Sequence, residues 1–199
     1  MSLTTVAVLV VLFLVAAYAV TLYNALVRLK HGVSKAWSNI EVLLKQRHEE
    51  LPKLVETCKQ YMQHERTTLE QVIAARNAVA SASQKGDMQA LGQAETGLRA
   101  GLGQLFALAE NYPQLKADQQ FLKLQQELIT TENRIQAARR FYNGNVRDYR
   151  NKCETFPSNL VAQMFGFQPQ EFFGVPPSVK EVPDVEFDRQ ALPGQKNGL

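Results

Sequence analysis

The first 27 residues of this 199-residue chain lack any charged side chain, and every Lys, Arg, Asp and Glu lies from Arg28 onward. This long uncharged stretch argues against a fully soluble protein. Because the sequence has no second stretch of this kind, it also argues against a protein with several membrane spans. The other residues are nearly balanced in charge, with 22 basic and 19 acidic side chains and a net charge of +3. That balance argues against a nucleic-acid-binding protein.

Cysteine is scarce as well, because the chain has only Cys58 and Cys153, which do not form a CxxC pair. Two cysteines do not make the disulfide framework of a small secreted protein. We interpret them as ordinary small core or surface residues. A disulfide between them would require the domain to face an oxidising compartment.

Recognisable catalytic and metal-binding motifs are missing from the sequence. His48 opens HEELP and His64 opens HERTT, so neither begins the HExxH motif of zinc peptidases. There is no Gly-rich phosphate loop and no GxSxG nucleophile motif. A di-metal carboxylate site would need Glu-x-x-His on two helices, but Glu132 is followed three residues later by Ile135. The sequence therefore predicts no catalytic residue, no metal and no cofactor.

Residues 3–22 form an apolar run that only three threonines interrupt. As a helix this run is roughly 30 Å long, about the thickness of the hydrocarbon core of a bilayer. Tyr18 and Tyr23 stand near its end, where aromatic rings with a polar tip favour the membrane surface. A cleaved signal peptide is the alternative, with Ala17-Tyr18-Ala19 as the cleavage site, but the basic start of such a peptide is missing. We therefore predict an uncleaved transmembrane helix.

The charges that follow the apolar run predict its orientation. Arg28, Lys30 and Lys35 come next, and no acidic residue occurs before Glu41. Basic residues beside a span tend to stay in the cytoplasm. We predict a single-pass protein of the bacterial cytoplasmic (inner) membrane, in contact with the lipid bilayer, with its amino terminus outside and its remaining residues in the cytoplasm.

Beyond the run, apolar residues recur in alternating steps of three and four, which is the spacing of a coiled-coil seam. The first helix is predicted to reach Pro52, which suits the first turn of a second helix. That helix ends before Gly86, Asp87 caps a third helix, and a fourth covers residues 115–152. The predicted inward residues of the first helix are Leu22, Leu26, Leu29, Val33, Ala36, Ile40 and Leu43, and those of the fourth are Leu122, Leu128, Ile129, Ile135, Tyr142, Val146 and Tyr149.

The short loops favour antiparallel neighbours. We predict an all-α protein in which a single N-terminal transmembrane helix continues into an antiparallel four-helix bundle, followed by a short C-terminal helix at residues 157–165 and an extended Pro/Phe-rich tail. The predicted domains are a transmembrane anchor (1–22), the helical bundle (23–155), an aromatic segment packed on the bundle (156–187) and a disordered tail (188–199).

Four charged residues fall on or near the predicted seams, namely Glu65, Arg76, Glu132 and Arg139. Because charge at such positions is costly unless it is paired, we interpret the four as a buried ion-pair layer that fixes helix register. The Gly97-x-x-x-Gly101 pattern, with Gly92 and Gly103 beside it, makes the third helix rich in glycine and is a weak sign of close helix approach. We also expect four aromatic residues to act as packing or interface anchors: Trp37, Tyr61, Phe165 and Phe167.

Three long blocks carry a family signature. Residues 23–76 read YNALVRLKHGVSKAWSNIEVLLKQRHEELPKLVETCKQYMQHERTTLEQVIAAR, residues 131–150 read TENRIQAARRFYNGNVRDYR, and residues 156–173 read FPSNLVAQMFGFQPQEFF. In this order they closely resemble bacterial LemA proteins. The resemblance implies a single amino-terminal span with a short external amino terminus, and a cytoplasmic helical bundle. It also implies no established catalytic activity, a loose association with membrane maintenance and with HtpX-type membrane metalloproteases, and, in one branch, a link to magnetosome formation.

Our leading hypothesis for function is a non-enzymatic, membrane-anchored scaffold or adaptor at the inner membrane. Self-assembly into a homo-oligomer is a natural extension of that role, and no nucleic-acid partner is expected. The alternative is a regulator or binding partner of an HtpX-type membrane metalloprotease. A hydrolase or metalloenzyme is the third hypothesis, and no motif favours it.

Overall fold

A computed structural model of the protein describes residues 2–174. Within that range all six secondary-structure elements are helices and none is a strand, which confirms the predicted all-α class. The predictions for residues 175–199, which include the disordered tail, lie outside the described residues. The helices are α1 (Leu3–Tyr61), α2 (Arg66–Lys85), α3 (Met88–Ala109), α4 (Pro113–Lys116), α5 (Gln119–Glu154) and α6 (Ser158–Met164).

α1 is a single helix of 59 residues whose surroundings change along its length. Ser2 caps its start, because the Ser2 hydroxyl oxygen accepts a hydrogen bond from the Thr5 amide at 3.4 Å. No residue before Leu22 is buried by the rest of the described chain. From Leu22 onward one face of the helix is buried, and the predicted seam lies on that face, with Leu29 and Leu43 at its edge. The predicted long apolar N-terminal helix is confirmed.

The predicted helix boundary at Pro52 is wrong, because α1 continues through this residue to Tyr61. Proline cannot donate the amide hydrogen bond that would reach the carbonyl of His48 one turn earlier. Arg76 on α2 supplies the missing donor, since its Nε lies 3.0 Å from the His48 carbonyl oxygen. A side chain from another helix thus satisfies the carbonyl that Pro52 leaves free.

α1 and α5 form an antiparallel pair, and α2 and α3 form a second pair. Later residues of α1 contact earlier residues of the α5 segment, as the pairs Tyr61–Asp118, Arg47–Glu132 and Trp37–Tyr142 show. α2 and α3 meet at a tight turn, where Gly86 adopts a left-handed φ of 68° and the Asp87 side chain caps α3. Such a short connection between two packed helices makes them antiparallel.

The buried face of α5 differs in part from the predicted one. Leu128 and Ile135 are buried as expected, but Leu122 and Ile129 are exposed. Phe121 and Leu124 take the core positions instead. At the start of α5 the buried face is therefore shifted by about one residue toward the N-terminus relative to the predicted face.

The C-terminal segment returns to the bundle after α6, which lies where the short C-terminal helix was predicted. Phe173 is fully buried, and Phe167 and Phe172 pack partly against the core. Phe165 remains more than half exposed. Three of the four C-terminal aromatic rings thus contribute to the core.

Candidate functional site

A group of charges, buried or partly buried except for Arg99 at its edge, joins α1, α3 and α5, and we call Arg47, Glu95, Arg99 and Glu132 the charge cluster. The Arg47 and Glu95 side chains are 1% and 2% exposed, and Arg47 Nη2 bonds Glu95 Oε1 directly. Arg47 Nη1 lies 2.7 Å from Glu132 Oε2, and Arg99 Nε lies 2.9 Å from Glu132 Oε1. Because a buried charge is tolerated only when it is paired, the charge cluster favours one register of the three helices.

The structure corrects the predicted membership of the polar layer. Of the four predicted residues only Glu132 belongs to the charge cluster. Glu65 lies before α2 and accepts a hydrogen bond from the Tyr112 hydroxyl at 3.1 Å. Arg76 bonds the His48 carbonyl, and Arg139 bonds the backbone of the C-terminal segment.

Sequence reasoning missed Arg47 and Glu95, although the heptad steps point to both. On α1 the buried steps continue from Leu44 to Arg47 and then to Leu51, which are spacings of three and four. On α3 Glu95 lies four residues after the buried Leu91. A search of the seam for charged as well as apolar residues would have found both positions.

An aromatic clasp, made of Trp37, Arg139, Tyr142, Asn143 and Phe173, holds the C-terminal segment against α1 and α5. The centre of the Trp37 ring lies 5.7 Å from the centre of the Tyr142 ring and 6.2 Å from that of the Phe173 ring, both in edge-to-face geometry. The Arg139 guanidinium lies 5.3 Å from the centre of the Phe173 ring. Asn143 Oδ1 accepts a hydrogen bond from the Phe173 amide at 2.9 Å.

The predicted aromatic anchors occupy three different parts of the structure. Trp37 belongs to the aromatic clasp, and the Tyr61 hydroxyl donates a hydrogen bond to Asp118 at 3.0 Å. Phe165 and Phe167 both pack against Tyr23, at ring-centre distances of 4.8 and 5.6 Å. All four therefore have partners within the chain.

Close backbone contact occurs at Gly92 rather than in the predicted Gly97–Gly101 pair. A Cβ atom at Gly92 would overlap the Cα of Gly174, whereas nothing lies within 4 Å of a Cβ at Gly97. At Gly101 the nearest atom is a Val72 methyl carbon at an ordinary 3.7 Å. Gly92 thus lets the end of the C-terminal segment lie directly on α3.

A groove of about 210 Å³ lies between α1 and α2 beside the charge cluster. Its lining includes His48 and Arg76, together with Leu51 and Val79. Burial, and then the nearby Arg76 charge, lower the pKa of His48 below its ordinary value of 6.5. A groove of this volume is larger than a cavity of about 150 Å³ that holds a benzene ring, and smaller than most pockets for drug-sized ligands.

Reactive groups are not assembled in the part of the chain that the structure describes. Residues 2–174 contain no group of three or more His, Cys, Asp or Glu side chains that could hold a metal ion. Burial raises the pKa of the Cys58 thiol to about 12, so it is not a thiolate nucleophile near neutral pH. The carboxylates of Glu95 and Glu132 are bound by arginines.

These features define a class: an all-helical protein whose long first helix is exposed and apolar at its start and forms part of the bundle core further on. The LemA family model matches residues 36–187, and this chain belongs to the LemA family. The resemblance of the three sequence blocks is thereby confirmed.

Individual relatives agree with this assignment. Protein LemA of Metamycoplasma hominis is 27% identical over 171 residues, which is 85% of this chain and 74% of the relative. Magnetosome protein MamQ 2 of Paramagnetospirillum magneticum is 30% identical over 93 residues, or 47% of this chain. Magnetosome protein MamQ of Magnetospirillum gryphiswaldense is 28% identical over 90 residues. The alignments span about a third of the length of these two MamQ proteins, 34% and 33% respectively.

Proposed function

We propose that this protein is a non-enzymatic, membrane-anchored helical scaffold or adaptor of the bacterial cytoplasmic membrane. One observation carries the proposal: α1 exposes its apolar first third and buries its later seam without a break in the helix. A helix of 59 residues is about 90 Å long at 1.5 Å per residue. It is long enough to cross a bilayer and still form the bundle core.

The mechanism of such a protein is positional. Anchoring confines the bundle to the membrane surface and raises its effective concentration for membrane partners. Because the same helix is both anchor and core, the orientation of the span is passed directly to the bundle. The charge cluster supports this role, since paired buried charges specify one packing arrangement and provide no free acid or base.

The proposed orientation places the bundle in the cytoplasm. Arg28, Lys30 and Lys35 follow the apolar stretch and are exposed on α1. Basic residues at one end of a span favour the cytoplasmic side. A cysteine introduced at exposed Lys35 in inverted membrane vesicles should react with a membrane-impermeant maleimide, and protection from it would contradict this orientation.

Self-assembly is part of the scaffold proposal, and the mass of the intact complex tests it. The protein would be extracted with its lipid by a styrene–maleic acid polymer after mild crosslinking, and the mass of the particles measured. A defined multiple of the chain mass supports a homo-oligomeric scaffold. A one-to-one complex with another membrane protein supports an adaptor, and capture of a membrane metalloprotease supports the regulatory alternative. Monomers without any partner would contradict both the scaffold and the adaptor proposals.

The non-enzymatic part of the proposal has a test of its own. Elemental analysis of the purified full-length protein should find no stoichiometric transition metal, because the described residues offer no ligand cluster. One metal ion per chain would contradict the proposal and favour a metalloenzyme.

A further inference from the structure

Four large apolar side chains around α6 point away from the bundle, and we call Phe156, Leu160, Met164 and Phe165 the α6 face. Their exposed fractions are 75%, 55%, 79% and 58%. Leu160 and Met164 are spaced four residues apart on α6, which places them on one side of the helix. Phe156 lies in the turn before α6, and Phe165 follows its last residue. The opposite side of α6 is buried through Val161 and Ala162. α6 is therefore amphipathic, and its outer side is exposed except where Phe165 contacts Tyr23.

The α6 face lies where α1 leaves its apolar stretch. Phe165 is in ring contact with Tyr23, the first residue after the apolar run, at 4.8 Å. The same tyrosine contacts Phe167 at 5.6 Å, and Lys30 Nζ lies 5.9 Å from the Phe167 ring centre. If residues 3–22 span the bilayer, these contacts set α6 at the height of the membrane surface.

The charges around the α6 face match an anionic surface. Arg28 and Lys30 lie within the first two turns of α1 after Tyr23. Because α5 runs antiparallel to α1, its basic residues Arg150 and Lys152 lie at the same end of the bundle, where Arg150 also pairs with Glu154 at 3.8 Å. Basic side chains beside exposed aromatic and aliphatic ones are typical of segments that lie in the headgroup region of a membrane.

We infer that the α6 face is a second membrane contact, which inserts into the boundary between headgroups and acyl chains of the bilayer that α1 spans. The inference rests on the proposed anchoring by α1. A bundle attached by one helix alone can tilt and rotate about it. A second contact beside the exit of α1 restricts that motion and presents the bundle to membrane partners in one orientation.

Quenching of a fluorescent label by lipid tests the inference on the full-length chain. Three variants carry one introduced cysteine each: Met164→Cys on the α6 face, Leu12→Cys in the apolar stretch, and Phe141→Cys as the matched control. Phe141 is also large, apolar and exposed, but it adjoins Tyr142, which packs on Trp37 about 20 Å along α1 from Leu22. The native cysteines are buried, and labelling of the unsubstituted chain measures their background.

Each variant would carry an environment-sensitive label in vesicles of phosphatidylethanolamine and phosphatidylglycerol that contain lipids with nitroxides at shallow or deep positions. We expect shallow nitroxides to quench the label at residue 164, deep ones to quench the label at residue 12, and neither to quench the label at residue 141. The label at residue 164 should also be protected from aqueous iodide.

The possible failures are distinguishable. Quenching at residue 12 without quenching at residue 164 overturns the second contact and leaves the anchor intact. A label at residue 164 that is shielded from both lipid and iodide means that a protein surface, such as a second copy, covers the α6 face, and this also overturns the inference. Absence of quenching at residue 12 overturns the anchor itself.

Discussion

Arg47 is the least exposed charged residue of the described chain, and its two carboxylate partners come from different helices. The substitution Arg47→Met keeps much of the side-chain volume but leaves Glu95 buried without a cation. We expect it to lower the free energy of unfolding by about 3–5 kcal/mol. Arg66→Met is the matched control, because Arg66 forms an exposed ion pair with Glu70 that solvent screens and that contributes little to stability. Urea unfolding followed by circular dichroism measures both, and equal stabilities of the two variants would contradict the structural role of the charge cluster.

Gly92 and Gly97 are helical glycines of α3 with opposite surroundings. Gly92→Ala should destabilise the protein and detach residues 171–174, because the added methyl group meets the Gly174 backbone. Gly97→Ala should instead raise stability by about 0.5–1 kcal/mol, since a free helical site gains from replacing glycine. Melting temperatures that shift in opposite directions are the expected result. A shift in the same direction for both would show that Gly174 does not lie on α3.

His48 gives the protein a predicted pH dependence. Its folded pKa is lowered, chiefly by burial, so the folded protein binds a proton there less readily than the unfolded chain. Stability contributed by the neutral form is therefore lost as the pH falls through 6.5 towards the lower folded pKa. We expect His48→Gln to flatten the melting-temperature profile between about pH 7 and pH 5. An unchanged slope in that variant would contradict the assignment.

The residues that sequence reasoning missed share a physical cause. Arg47 and Glu95 lie on the seam spacing, but their burial depends on a charged partner supplied by another helix, which a search for apolar residues alone does not reveal. Glu132 was found because it falls near the predicted seam of α5, between Leu128 and Ile135, but its partners could not be read from spacing. Local periodicity predicts which face of a helix is buried, and the pairing of charges depends on tertiary contacts.

At the scale of elements, α1 and α2 are connected by a contact that compensates for Pro52. Arg76→Ala should destabilise the wild-type protein by about 1–2 kcal/mol, since it removes a charged donor from a partly buried carbonyl. In a Pro52→Ala background the new amide at residue 52 can bond the His48 carbonyl, so the same change at Arg76 should cost less.

A double-mutant cycle on Pro52 and Arg76 measures this coupling. We expect a coupling energy of about 1 kcal/mol, which indicates that the two groups serve the same carbonyl. Additive effects of the two substitutions would mean that Arg76 stabilises α2 independently of the proline.

The errors at the level of helices came from sequence signals that tertiary structure overrode. Pro52 is a valid start signal for a helix, and Arg76 makes its position inside α1 tolerable. On α5 the apolar pairs 121–122 and 128–129 each offer two candidates for the core. Periodicity alone leaves the choice open, and packing against α1 and α3 selects Phe121 and Leu128. The start of α3 at Asp87 was predictable, because a side-chain cap is a local interaction.

At the scale of the whole molecule, one helix has two environments. Its first part has no buried residue before Leu22, and from that position onward its seam lies in the core of the bundle. The apolar run and the heptad spacing were both visible in the sequence, and so was their continuity in helical phase. The sequence did not show that the C-terminal aromatic segment returns to the end of the bundle next to the apolar stretch, which the contacts of Tyr23 with Phe165 and Phe167 establish.

In the proposed arrangement α1 passes from the bilayer into the bundle without a break. Hydrogen exchange of the full-length protein in lipid nanodiscs, read by mass spectrometry, tests this continuity. Unbroken helix hydrogen bonds protect amides, so peptides that cover residues 12–40 should exchange slowly throughout, with no fast segment around Leu22. Rapid exchange at residues 20–26, or the absence of peptides from residues 3–19 in the membrane-bound protein, would contradict the account.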